Sequence, residues 1–290
     1  MTVLLPARTP AAWCAAHAAG GDADGALLRV DDLLADGLHA AHRRFVDDGE
    51  PPAAAAKYLV GYTAGAVAAA VGLALATADA GLLIDPASLA WRAHDDGWLE
   101  LVTVRPAAVL VGPGHPWAGQ ATVTVTAEPL VTGTVDGLVA TVDPLVTACS
   151  RLAKVGRRAL WEEVADPLGA PVGHRLDVPA VPAVVETLAA AVAVPGAPWR
   201  TRPTVRIVDA ELGRRRCGVY VVQKGGCCLS YTRAAPLEAG DDPEHAAYLA
   251  AFPPADGEPS YCSTCRFRAA DDCTARQLWY LAREAAAGDG

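Results

Sequence analysis

Apolar side chains recur at steps of three or four through Leu27, Val30, Leu34, Leu38, Ala41 and Phe45, the spacing of one buried helix face. That face runs out at Asp47-Asp48-Gly49, and Pro51-Pro52 separates it from an alanine-rich helix that continues to about Ala78. Beyond Trp98 the period changes. Leu-Glu-Leu-Val-Thr-Val, Ala-Val-Leu-Val and Ala-Thr-Val-Thr-Val-Thr are β-branched runs punctuated by Gly112-Pro113-Gly114, and they predict two or three short strands before Thr126. Asp143 followed by Pro144 has the form of an N-cap with proline in the first turn, and Leu145, Ala148, Leu152 and Val155 continue at helical spacing. A helix is expected to start there, with others over residues 160–166 and 183–193.

Pro195, Pro198 and Pro203 mark a joint, after which Val205 to Val208 and Val219 to Val222 read as strands. Lys224-Gly225-Gly226 is a turn signal, and the run beginning Cys227-Cys228 is expected to form the next strand. Residues 234–260 are rich in Pro, Asp and Glu apart from a short helical patch near His245 to Ala251, and a helix over 274–286 closes the chain. The expected fold class is α+β. A helix-rich N-terminal domain with a few short strands covers residues 1–202, and a small cysteine-bearing C-terminal module covers 203–290.

With 290 residues, 52% of them hydrophobic and 20% charged, the chain can bury a large core and is not a disordered protein. The abundant alanine reads as a compositional bias rather than a property of the fold. A net charge of -9 argues against nucleic acid as a partner. No basic, apolar and small-residue succession of a secretory leader opens the sequence, so a cytoplasmic location is expected. The uncharged stretch from Tyr58 to Ala78 reads as a buried core helix rather than a span, which leaves membrane association at most peripheral.

In a cytoplasmic chain, eight cysteines point to metal or redox chemistry rather than to disulfides. Cys14 and Cys149 stand alone, whereas Cys217, Cys227, Cys228, Cys262, Cys265 and Cys273 crowd into the last quarter. Cys262-Ser-Thr-Cys265 is a CxxC, whose turn directs two sulfurs toward one point. Four thiolates satisfy either a tetrahedral ion or two irons. Adjacent cysteines on an ideal strand face opposite ways, so Cys227 and Cys228 join one site only if the backbone bends, which Gly225-Gly226 permits. A doublet plus CxxC disfavours buried apolar thiols, and the acidic stretch before the CxxC disfavours a thiol-disulfide pair. Spacing alone leaves zinc and an iron-sulfur cluster both open.

The doublet Cys227-Cys228, the following Leu229-Ser-Tyr231 and the Cys262-x-x-Cys265 near the C-terminus resemble the FhuF-type ferric-siderophore reductases. Tyr58-Leu-Val-Gly61-Tyr62, Ile84 to Arg92, and Asp143-Pro144-Leu145 through Leu160-Trp161 are similar to the N-terminal segments of that family, so the resemblance covers most of the chain. It departs in one place. The family keeps its two cysteine pairs close together, whereas here 33 residues, 229–261, intervene and include an acidic insertion. Closure entropy grows only logarithmically with loop length, so the insertion bears on the substrate rather than on metal binding.

The resemblance implies a [2Fe-2S] cluster on Cys227, Cys228, Cys262 and Cys265, and an oxidoreductase that reduces ferric siderophores by single electrons to release iron(II). Cys273, before the last helix, is a possible substitute ligand, and Cys217 is expected to pack in a strand. Arg214-Arg215-Arg216, Lys224, Arg233, Arg266 and Arg268 flank the cysteines in sequence and form a candidate docking group for an anionic ferric complex or an acidic donor. No phosphate loop or dinucleotide fingerprint is present, so the electron is expected from an external donor, ferredoxin-like or a flavin reductase. Trp91, Trp117 and Trp161 read as core anchors. The alternatives are a zinc-stabilised binding or scaffold protein, and an iron-sulfur electron carrier unrelated to siderophores.

Overall fold

The computed structural model describes residues 27–94, 98–127, 129–173, 176, 178–213, 215–229, 243–253 and 261–288. A short strand β1, Leu27–Arg29, leads into a helix α1 over residues 30–47 that contains a π-turn at Leu33–Gly37. The extra residue in that turn rotates the expected face. Leu33, Leu38 and Ala41 are buried while Leu34 is exposed, and Leu27 belongs to the strand. Helix α2, Pro52–Ala78, starts on the expected proline and carries a second π-turn at Gly61–Gly65.

Helix α2 and helix α3, Leu130–Cys149, are both long and apolar enough to cross a membrane, but 72% of the most apolar window of α2 is buried inside the fold. Its small residues are structural. Against helix α4, Arg157–Gly169, a Cβ on Gly72 would stand 2.3 Å from the Leu168 carbonyl oxygen, and one on Gly65 would stand 2.6 Å from that of Glu163. The glycines of this alanine-rich helix thus set the distance between two central helices.

Strands β2, Ala80–Ile84, and β5, Pro106–Val111, pair antiparallel, and β6, Val123–Val125, adds parallel to β5. A second small sheet orders β1, β3 at Ala90–Ala93 and β4 at Leu99–Thr103. Three of these strands answer the β-branched runs, while β2 and β3 lie in runs too short to separate from helix by pattern. Helix α3 begins thirteen residues before the expected cap at Asp143. Pro144 sits inside it, tolerated because Val135, Leu138, Val142, Leu145, Val146 and Cys149 keep one buried face continuous through the proline. Asp143 pairs instead with Arg157, and Leu152 and Val155 lie beyond the helix end.

Helix α5, Pro182–Val192, leads to the hairpin of β7, Thr204–Leu212, and β8, Arg215–Gln223. Helices α6, Pro243–Ala251, and α7, Ala270–Gly288, complete the α+β fold. Val205, Ile207 and Tyr220 of the hairpin pack on the main core with Trp91 and Trp161, and Trp117 packs on its margin. Ala210, Leu212 and Val219 form a second, smaller cluster with Leu281 of α7.

Gly72→Ala is expected to lower stability by about 1–3 kcal/mol, because its methyl has no room against the α4 backbone. Gly61→Ala meets nothing within 4 Å and should hold or raise it. Urea midpoints check this, and equal midpoints contradict the close helix contact.

Candidate metal centre

Cys227 and Cys228 lie after the end of β8, in a segment that is bent rather than a strand. The bend has two causes. Leu229 takes a left-handed backbone, φ +63, which breaks any strand run at that point. Before it, Gly225 and Gly226 are demanded by closeness rather than by positive φ. A Cβ on Gly225 would stand 2.3 Å from the Arg202 backbone, and one on Gly226 would stand 2.8 Å from Glu162 Cβ on α4.

Asp166 of α4 fixes this turn. Its carboxylate is buried and accepts from Gly225 N at 2.7 Å and Gly226 N at 3.1 Å. Burial first, and then Glu163 beside it, push the carboxyl up to about 7, against the two amides and Lys224, which pull it down. One turn earlier on the same face, Glu163 Oε1 stands 3.1 Å from Lys57 Nζ, and Lys57 also donates to the Ala159 carbonyl at 2.7 Å. The ion pair is not aligned as a hydrogen bond, and Glu163 Oε1 is buried without a hydrogen-bond partner among the described residues.

The CxxC is a tight turn in which Cys265 N donates to the Cys262 carbonyl at 3.1 Å, and Lys224 N ties it to β8 through the Thr264 carbonyl at 2.9 Å. Gln223 Nε2 donates to the carbonyls of Arg268 at 2.9 Å and Cys265 at 3.3 Å. Arg268 donates to the carbonyls of Cys262 and Tyr261 and pairs with Asp272 of α7 at 2.8 Å. Asp272 also pairs with Arg276, whose Nη1 donates to Tyr248 Oη of α6 at 3.0 Å. A continuous polar chain therefore runs from the helix inside the insertion to the CxxC backbone.

These tethers make the two cysteine pairs neighbours. The Cys262 thiol is hydrogen-bonded with both Cys228 and Cys265. The bond with Cys228 pulls it down, but the bond with Cys265 and burial outweigh that and leave it above the ordinary thiol value. The bond with Cys262 holds Cys265 down at about 7, against burial and the charges of Cys227 and Cys228. Burial disfavours the Lys224 ammonium, yet Glu163, Cys262 and Cys228 facing it raise its pKa. Among the described residues no three His, Cys, Asp or Glu side chains are grouped so as to hold a metal ion. An open pocket of about 460 Å³ reaches Cys228 and Cys262 from the side of α2, α6 and α7.

The cationic group expected from sequence is divided. Arg215 and Arg216 sit at the closed end of the hairpin, paired with Leu212 and Glu211, while Gln223 is at the open end. Nine strand residues separate the ends, roughly 26 Å at the usual rise. Arg266 donates to the Gly225 carbonyl at 2.6 Å, and Arg268 is enclosed by its carbonyls and Asp272, so both brace the loops. Lys224 alone faces the thiols; Arg214 and Arg233 lie outside the described residues, as do Ser230 and Tyr231. Cys273 is buried between β8 and α7, with Sγ 3.4 Å from the Val222 carbonyl and 3.0 Å from Gln277 Nε2, and Cys217 is exposed on β8.

Asp166→Ala is expected to destabilise by about 1–3 kcal/mol, since it leaves two buried amides unpaired, and to speed alkylation of Cys227 and Cys228. The folded pKa of about 7 lies above the ordinary 3.8, so the contribution of Asp166 is greatest below that lower value and falls as pH rises toward 7. The stability gap between the natural chain and Asp166→Asn should shrink over that interval, and denaturant titrations at pH 4 and 7 measure it. A gap that widens contradicts the raised value.

Comparison with family models, with curated proteins and with solved structures finds no match for this chain.

Proposed function

We propose that this chain is a [2Fe-2S] protein of the ferric-siderophore-reductase type, with Cys227, Cys228, Cys262 and Cys265 as ligands. The observation that supports the reading is the interaction of the Cys262 thiol with both Cys228 and Cys265, which puts one thiol of the doublet beside the CxxC. The donor chemistry suits such a group, with four thiols of which one is drawn down to about 7 and Lys224 facing two of them, although among the described residues the thiols are not drawn into a metal-holding cluster.

A bound [2Fe-2S] cluster supplies one-electron exchange. The chain's own residues do the rest. Asp166 and the two glycines hold the doublet, and Gln223 and Arg268 hold the CxxC. Lys224 offsets thiolate charge, and the pocket admits a partner to Cys228 and Cys262. One electron converts iron(III) in a chelate to iron(II), which hard oxygen donors hold less firmly, so the metal is released and the chelator leaves unchanged. The electron is supplied from outside by a ferredoxin-like protein or a flavin reductase.

Anaerobic purification should give a coloured protein with two iron and two sulfide per chain. Cys262→Ser and Cys265→Ser should lose the colour, while Cys217→Ser, at the far end of the hairpin, keeps it. Ferric chelates should re-oxidise the reduced protein faster than buffer does. A colourless protein with one zinc removes the cluster, and a coloured one that no ferric chelate re-oxidises is an electron carrier instead.

A further inference from the structure

The pocket beside Cys228 and Cys262 has a composition that the cysteines do not require. Tyr58 and Tyr62 reach it from α2, Tyr248 from α6, Tyr261 from the turn before the CxxC, and Tyr280 from α7. The π-turn Gly61–Gly65 begins after Tyr58 and contains Tyr62, so it sets the direction of Tyr62 relative to Tyr58, and such bulges are frequent at functional sites. Tyr248 comes from the insertion, and its ring stacks on Tyr280 at 5.1 Å between centroids. The insertion thus adds an aromatic wall beside two of the four sulfurs.

Glu163 lines the same pocket. Its Oε1 is a buried acceptor that no described donor satisfies, although Lys57 balances its charge. Lys57, 3.1 Å away, balances the charge of this oxygen and leaves it able to accept from a ligand donor as well. A pocket of about 460 Å³ falls in the range of small-molecule sites, and five aromatic rings suit flat rings, whose faces and edges complement theirs.

We propose that this pocket takes an aryl arm, a phenolate- or catecholate-type ring with an adjacent N–H or O–H, of the ferric chelate. The ring stacks among Tyr62, Tyr248 and Tyr280, the donor bonds Glu163 Oε1, and the rest of the chelate stays outside. This rests on the reading of the chain as a ferric-chelate reductase and narrows its substrate to aryl-bearing chelates. Aliphatic hydroxamate arms offer no ring to the tyrosines.

Gallium(III) complexes, which cannot be reduced, separate binding from electron transfer. The gallium complex of a tris-catecholate should quench tyrosine fluorescence of the full chain and bind at least tenfold more tightly than that of a trihydroxamate. Tyr62→Ala, at an exposed position, and Glu163→Gln should each weaken it about tenfold, while Tyr62→Phe retains it. Equal affinity for the two gallium complexes, or an unaltered Kd in Tyr62→Ala, overturns the proposal. The visible spectrum of the same sample reports the cluster independently, so aryl binding by a colourless protein sinks the redox reading and leaves the aryl site standing.

Discussion

The cysteine region depends on one carboxylate. Asp166 accepts the amides of Gly225 and Gly226, and those two bonds join the core helix α4 to the turn that presents Cys227 and Cys228. Each buried amide left without an acceptor costs about 1–3 kcal/mol, so the turn has no alternative position of similar energy. The position of Asp166 is itself derived. It follows from α4, which the backbone approach at Gly65 and Gly72 presses onto α2, and which Trp161, Val164 and Leu168 anchor in the core. Small side chains on one helix thereby decide where two thiols stand many residues later.

The second pair is held differently. Its turn hangs from β8 through Lys224 and Gln223, and from α7 through Arg268 and Asp272. β8 is common to both tethers, since the chain leaves it directly into Gly225, and this shared strand keeps the pairs in register despite the insertion. The insertion is not a free loop at its centre. Arg276 bonds Tyr248 and lies 4.7 Å from the Phe252 ring centroid, so α6 is fastened to the same helix that carries Asp272. A displacement of α6 is thereby felt at the Cys262 carbonyl through Arg276, Asp272 and Arg268.

Much of the helix content was legible because buried faces leave a period, as in α1, α4 and α5. The start of α3 was not, because residues 130–142 are rich in Thr, Gly and Val, and the Asp143-Pro144 pair imitates a beginning. The nearness of Cys228 to the CxxC was legible from the doublet, the glycine turn before it and the CxxC after it. Asp166 and Gln223 were not, since their partners are backbone groups: Asp166 meets an amide 59 residues away, and no sequence pattern records such a bond. The arginines misled for the opposite reason. Neighbours along a strand separate by about 3.3 Å per residue, so Arg215 and Arg216, close to the cysteines in sequence, end at the far tip of the hairpin.

That redistribution of charge alters the electrostatics expected of the site. With Arg266 and Arg268 committed to backbone carbonyls and Asp272, the ammonium facing the thiols is that of Lys224. Lys57 and Lys224 stand against Glu163 and Asp166, and Lys224 also faces the Cys228 and Cys262 thiols, so it offsets part of any thiolate charge. On the proposed reading, reduction adds one more negative charge to this surrounding, which sets a low potential. A low potential is what one-electron reduction of a stable ferric chelate demands. Arg215 and Arg216, at the far end of the hairpin, add little to raise it, while Arg266 and Arg268, bonded to the Gly225 and Cys262 carbonyls, stay beside the cysteines and moderate it.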